Sequence, residues 1–354
     1  MKYDLMEILQ KAIELKASDI HFTVAKPPIL RVRGDLIYYG EEALTPEDTK
    51  EICYFLMNEE KVKIFEEKGE IDFSWALANT SRYRVNVFLQ RGSHAVALRI
   101  INNRIPTVEE LKLPSVLNSM ALKPRGMFLV TGPTGSGKST TLAAMVGHIN
   151  NNRKCHVLTI EDPIEYMHKH NKSMVNQREV GSDTKSFANA LRAALREDPD
   201  VILVGEMRDF ETISTAISAA ETGHFVMSTL HTTTAAQTVD RIIDTFPPHQ
   251  QPQIRTQLAS ILQGIVCQQL VKSADGQMVV PAMEVLIVND AVRNLIREGK
   301  NHQIDTVLQT NIKNDMMPMD YSLAQLVKSK IITAQDAYIR CVDPEVFKRY
   351  LSML

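Results

Sequence analysis

The segment Gly132-Pro133-Thr134-Gly135-Ser136-Gly137-Lys138-Ser139-Thr140 matches the pattern G-x-x-x-x-G-K-[ST] in full, with Gly135 as an extra glycine inside it. Residues of these types at this spacing bind polyphosphate. The glycines let successive backbone N–H groups turn inward as an anion nest, and a helix starting at the lysine adds its positive dipole end. Lys138 is expected to reach the β- and γ-phosphates and the Ser139 hydroxyl to ligate Mg²⁺, which makes ATP and Mg²⁺ the expected cofactors.

Hydrolysis needs more than a phosphate cradle. A carboxylate must orient or deprotonate water, and other groups must offset charge on the phosphoryl oxygens. Three elements offer such groups: residues 159–166 (TIEDPIEY), 200–209 (DVILVGEMRD) and 228–232 (STLHT). Each places a polar side chain just past an apolar run, and in an open α/β sheet the C-terminal ends of the strands are where ligands bind. Glu206 and Glu161 are therefore the two candidates for water and metal handling. The residues alone do not choose the base between them. Position favours Glu206 as the base, with Glu161 supporting the metal or the water. Gly205 stands where an aspartate commonly holds Mg²⁺. His231 is placed to sense the γ-phosphate or to position water, the competing role being that of a hydrogen-bonded core histidine. Cys155 and Met207 read as core.

Elements of several kinds must hold these residues in place. Residues 126–130 (GMFLV) read as a buried strand before the loop, and residues 141–149 (TLAAMVGHI) as the helix after it. Further strands are expected at 156–160, 201–204 and 225–230. The stripes of Phe187, Leu191, Ala194 and Leu195, and of residues 209–222 ahead of Gly223, mark helices between them. Ile254, Leu258, Ile261, Leu262 and Ile265 continue one helical stripe, and Asp275-Gly276 signals a hairpin between residues 266–272 and 278–288. The closing seventy or so residues read as helices. Upstream the pattern differs. Leu5, Ile8, Leu9, Ala12 and Ile13 mark an amphipathic helix, Pro46 opens another, and residues 82–90 and 94–101 alternate as strands. The domain reading is a small α+β domain at 1–100, a linker at 101–113 centred on Asn102-Asn103-Arg104-Ile105-Pro106, and an α/β domain with C-terminal helices at 114–354.

Bulk properties narrow the class. With 354 residues, 40 basic against 42 acidic side chains and a net charge of −2, the chain lacks the basic excess expected of a nucleic-acid motor, and no nucleic-acid partner is expected. Cys53, Cys155, Cys267 and Cys341 are scattered without a C-x-x-C pair and read as reduced thiols of a cytoplasmic protein. The charged, amphipathic N-terminus does not read as a signal peptide, and no apolar run approaches the ~18 residues of a membrane span, so no direct membrane insertion is expected.

The elements GPTGSGKST, TIEDPIEY, LVGEMRD and STLHT, in this order and spacing, resemble those of the ATPases that drive type II secretion and type IV pili. Within that superfamily the chain is similar, end to end from ASDIHF onward, to the type IV pilus retraction ATPases (PilT-like). The resemblance implies an N-terminal PAS-like domain, a RecA-like P-loop ATPase domain and helical C-terminal additions. It also implies a homohexameric ring, and coupling to a polytopic inner-membrane pilus platform protein at the cytoplasmic face of that membrane. The family's atypical Walker B element accounts for Gly205. Arginines of the N-terminal domain approach the nucleotide in this family, and the matching segment is residues 81–91, where alternation puts Arg82 and Arg84 on one strand face. A solvated basic face is the alternative for that pair. Nucleotide-dependent closure and opening of the two domains would then turn hydrolysis into movement.

Direction rests on a smaller feature. Residues 291–298 (AVRNLIRE) resemble the AIRNLIRE signature of the retraction enzymes, with Val292 for Ile. The widely spaced cysteines do not form the tetracysteine zinc motif usual in assembly enzymes. Arg293 and Arg297 share one helical face, available to an acidic partner or a neighbouring element, or simply solvated. The expected function is pilus retraction by a hexameric ATPase. A pilus-assembly or type II secretion paralogue and a non-hydrolysing nucleotide-gated scaffold are the alternatives.

Overall fold

The computed structural model describes residues 2–77, 81–101 and 104–354, and Asn102 and Asn103 of the expected linker lie outside the described residues. Contacts gather the chain into two compact units, residues 1–104 with 165–167, and residues 105–164 with 168–354.

In the first unit, helix α1 (Leu5–Glu14) buries Leu5, Ile8, Leu9 and Ala12, the stripe its spacing predicts, and Asp4 caps it by accepting the Met6 N–H. Strands β1 (Asp19–Phe22), β2 (Ile29–Val32) and β3 (Asp35–Tyr38) follow. Helix α2 (Pro46–Leu56) opens with a reciprocal Thr45–Asp48 capping box and proline at its first turn. Helix α3 (Glu59–Lys68) and strands β4 (Glu70–Leu77), β5 (Ser81–Gln90) and β6 (Ser93–Ile101) complete an antiparallel sheet of order β3-β2-β1-β6-β5-β4. Tyr83, Val85 and Val87 enter the core, so the two-residue period of β5 sends Arg82 and Arg84 to its other face.

The second unit comprises α4 (Val116–Ala121), β7 (Gly126–Thr131), α5 (Lys138–Asn152), β8 (His156–Glu161), β9 (Met174–Glu179), α6 (Phe187–Ala194), β10 (Val201–Val204), α7 (Phe210–Glu221) and β11 (Phe225–Leu230). It continues through α8 (Ala235–Asp244), α9 (Gln251–Ile261), β12 (Leu262–Lys272), β13 (Val279–Ile287), α10 (Asp290–Glu298), α11 (Ile304–Thr310), α12 (Met319–Lys328), α13 (Ala334–Arg340) and α14 (Pro344–Met353). Its sheet runs β13-β12-β7-β11-β10-β8-β9, parallel throughout except for the β12–β13 hairpin. Both faces are covered, which is why its central strands β7, β10 and β11 are buried along their whole length and largely apolar. Alternation along β7 shows the two layers: Met127 and Leu129 pack with the residues of α6 to α9, while Phe128 and Val130 pack with those of α4 and α5. A third apolar cluster seats α12 and α14 on the outer ends of β12 and β13.

Two elements depart from the sequence reading. The stripe from Ile254 to Ile265 is not one helix. Leu262 and Ile265 belong to β12, because α9 ends at Ile261; a buried strand following a helix carries apolar residues that extend the helical period by coincidence. Strand β9 was not anticipated. Its sequence MVNQRE is mostly polar, as suits the edge of a sheet.

Candidate functional site

Parallel strands in register bring their C-terminal ends to one edge, and here each end carries chemistry. Leu230 of β11 lies opposite Thr131 of β7, and Val204 of β10 lies between Ile160 of β8 and Ser228 of β11. The segments that leave the sheet there are the phosphate loop, the acidic turn after β8, the Gly205–Arg208 turn and the His231 turn. The backbone ties them together. Gly132 N–H donates to the Leu230 carbonyl (3.3 Å), Gly205 N–H to Ile160 (2.8 Å) and Met207 N–H to Thr229 (3.1 Å). Ser228 and Thr229 add hydroxyl bonds to the Val204 and Gly205 carbonyls, at 2.7 and 2.6 Å.

The phosphate loop begins at Gly132 with φ +141°, and a Cβ there would meet the Gln268 carbonyl oxygen and the Ser136 hydroxyl. Gln268 of β12 also accepts the Thr141 hydroxyl proton at 2.7 Å, so a strand distant in sequence braces the loop. Lys138 is 9% exposed and donates to the carbonyls of Gly132 and Pro133 at 2.9 and 3.0 Å, which sets its ammonium over the loop. Pro133, Thr134 and Gly135 are exposed, while Gly137, Ser139 and Thr140 are half-buried. Helix α5 starts at Lys138 with no side-chain cap, which leaves its first N–H groups for a ligand. Ser136 is 2% exposed, and its hydroxyl has no hydrogen-bond partner. A buried orphan donor inside a nest of amides fits a phosphate oxygen. Beside the first turn of α5 opens a pocket of about 290 Å³, lined by Thr140, Thr141, Leu113, Leu270, Val280 and Pro281 among others.

The two candidate carboxylates are held in different ways. Glu206 lies 2.8 Å from the Arg208 guanidinium and 3.6 Å from Nε2 of His231. Glu161 accepts from the Thr159 hydroxyl at 2.7 Å and from the Gln177 amide at 3.1 Å. Glu179 of β9, paired with Glu161 across the ladder, accepts the Ile164 N–H at 3.1 Å and so fixes the turn beyond Glu161. Gly205 has a steric cause. A Cβ at that position would lie 3.2 Å from the Ile160 carbonyl oxygen and 3.4 Å from Cα of Glu161, leaving little room for an aspartate. Among the described residues no group of three or more His, Cys, Asp or Glu converges as a metal cage. A divalent ion with few protein ligands, taking phosphate and water for the rest, is the habit of Mg²⁺, and Ser139, Glu161 and Glu206 suit it.

Arg82 and Arg84 belong to the first unit. Arg82 is half-buried, and the exposed Arg84 lies 4.0 Å from Asp72 on the neighbouring strand. Met207 is core, as expected, but Cys155 is half-buried with its sulfur 3.3 Å from the Ser173 hydroxyl. Arg293 does not stand free for a partner: its guanidinium bonds the Ala259 and Ser260 carbonyls near the C-terminal end of α9, while Arg297 bonds the Asn294 side chain. Arg208, Gln177 and Gln268 escaped the sequence reading. Arg208 lies within a recognised box and could have been weighed; the two glutamines carry no local signal. Among the described residues no helix is long and apolar enough to cross a membrane.

The family described as type II/IV secretion system protein matches residues 1–310. The chain is 45% identical to the type IV pilus retraction ATPase PilT of Pseudomonas aeruginosa, over 97% of its own length and all of the relative's. It is 50% identical to a twitching motility protein of Neisseria gonorrhoeae, over 90% of this chain and 85% of that one. A crystal structure described as the pilus retraction motor PilT with bound ADP superposes with a TM-score of 0.91 at 50% identity, covering 98% of this chain and 99% of the other.

Proposed function

The chain belongs to the type II/IV secretion system protein family, and on that premise we propose that it is an ATP-hydrolysing motor that retracts type IV pili. One observation carries the chemistry: the phosphate loop, Glu161, and Glu206 with His231 leave adjacent parallel strands at a single sheet edge. Residues 132–140 hold the triphosphate, Lys138 offsets charge on the β- and γ-phosphates, and the apolar pocket beside α5 takes the nucleobase. Mg²⁺ would neutralise charge shared by the β- and γ-phosphate oxygens, with Ser139, Glu161 and Glu206 as its protein partners. Glu206 orients water and accepts its proton, while His231 and Arg208 hold that carboxylate in place. Arg82 and Arg84 supply guanidinium charge to the phosphates from the N-terminal domain.

Residues 1–100 serve as the PAS-like domain, 101–113 as the linker and 114–354 as the RecA-like ATPase domain. Nucleotide-dependent closure and opening of the two domains drives a homohexameric ring against an inner-membrane platform protein at the cytoplasmic face. The close likeness to a retraction ATPase over its whole length supports retraction rather than assembly. Removing the Lys138 ammonium by Lys138→Ala should abolish phosphate release. Cells whose only copy carries that change should be heavily piliated and unable to twitch. Loss of surface pili instead would make the chain an extension motor, and full phosphate release by Lys138→Ala would remove residues 132–140 from the chemistry.

A further inference from the structure

Glu284 lies within β13 between buried Met283 and Val285, and is itself only 4% exposed. Burial pushes its carboxyl up to about 7, and the other acids that act on it, Asp305 of α11 and Asp320 of α12, push the same way. A carboxylate this buried is costly unless it is hydrogen-bonded or paired. Its partners are a backbone amide and a thiol. Oε1 accepts the Ala235 N–H at 2.7 Å, and the sulfur of Cys267, its opposite number on β12, lies 3.6 Å away.

Ala235 is the first residue of α8 and follows His231 by four positions. The intervening segment is knit to itself. The Thr234 side chain caps the Gln237 N–H, the Thr232 and Thr238 hydroxyls lie 2.7 Å apart, and Thr238 also donates to the Thr234 carbonyl at 2.8 Å. The bond from Ala235 to Glu284 therefore ties a self-braced block carrying His231 to the β12–β13 ladder. On the next residue of β12, Gln268 braces the phosphate loop. One hairpin thus steadies two nucleotide-facing segments through adjacent side chains.

We propose that Glu284 is a positioning residue: by accepting the Ala235 amide, its carboxylate holds the start of α8 and so sets the place of His231 against Glu206. The proposal rests on the reading of His231 and Glu206 as hydrolytic residues.

The test uses the full chain, with phosphate release for kcat and titration with ADP for nucleotide affinity. Ala235→Pro deletes the donated N–H at a first helical position, where proline is tolerated, and Thr234 before it already has the extended backbone a following proline needs (φ −131°, ψ 158°). Glu284→Ala and Ala235→Pro should each lower kcat roughly ten- to a hundredfold while ADP affinity stays within about twofold, the pattern of a misplaced group rather than a lost fold. Glu284→Gln keeps an acceptor oxygen and should recover most of the rate. The double variant should fall no further than the worse single one, since both break one bond. Wild-type kcat in Ala235→Pro would overturn the proposal. So would a Glu284→Gln as slow as Glu284→Ala, or ADP affinity falling in step with kcat. If Glu284→Ala fails to fold, Ala235→Pro and Glu284→Gln decide. An inactive wild type, or a fully active His231→Ala, would instead sink the reading of the site beneath the proposal.

Discussion

Two acids at one sheet edge have been given different company. Glu206 faces cationic and titratable groups, Arg208 and His231, on turns exposed to solvent. Glu161 accepts, among its contacts, from two neutral donors, Thr159 on its own strand and Gln177 on the next. A carboxylate that must take and return a proton gains from groups that can move or change charge. One that must stay put beside a metal gains from fixed neutral donors that point it and leave its charge undiminished. On this contrast we propose the order that position alone suggests, Glu206 as the base and Glu161 as the support of metal or water.

The sharpest way to break the comparison is to remove each acid in turn. Glu206→Ala should cut kcat by about 10²–10⁴-fold, the usual contribution of a general base, with ADP binding retained. Glu161→Ala should cost less, and raised Mg²⁺ should restore part of the loss. The reverse ranking in the same phosphate-release assay would hand the role of base to Glu161.

A smaller effect is expected from the supports. Thr159→Val combined with Gln177→Leu leaves Glu161 in place but without these two donors. It should raise the Mg²⁺ requirement or lower activity roughly ten- to a hundredfold, the range for partners of a metal ligand. An unchanged Mg²⁺ titration would mean that Glu161 does not depend on its neutral donors. Next comes Gly205→Asp, which restores the general Walker B pattern. Crowding against Ile160 and Glu161 should cost about 1–3 kcal/mol in urea unfolding without any gain in turnover. A faster enzyme would show that the space beside Glu161 is freer than the geometry implies. The least disturbance to the fold should follow Arg208→Ala. Arg208 is itself exposed, so stability should stay within about 1 kcal/mol; a larger fall in unfolding free energy would make Arg208 a structural residue.

Much of this edge was legible in the sequence because its signals are local. Residues 201–204 and 225–230 are strands over the spans expected, and Gly223 follows the end of α7 as a helix stop should. The phosphate loop, Glu161, Glu206 and His231 each lie within a few residues of a strand end, so alternation of strand and helix was enough to gather them. What escaped depends on partners far off in the chain. Gln177 matters only because β9 pairs with β8, and Gln268 only because β12 lies beside β7. Arg293 read as open to an acidic partner, a neighbouring element or solvent, and only the position of α9 shows which. Glu284 looked like one more residue of a hairpin strand; its burial against α8 is a tertiary fact.

The brace on the phosphate loop bears on how the protein is made. Residues 132–140 emerge from a ribosome early, with the whole binding motif written in them, yet the carbonyl that closes on Gly132 and the side chain that holds Thr141 arrive only with Gln268. Contacts so distant along the chain form late in folding. A nascent chain that ends before β12 thus carries the motif without its brace. Nucleotide should find a formed site only after the hairpin has docked, which delays capture of cellular ATP until the sheet around the loop has closed.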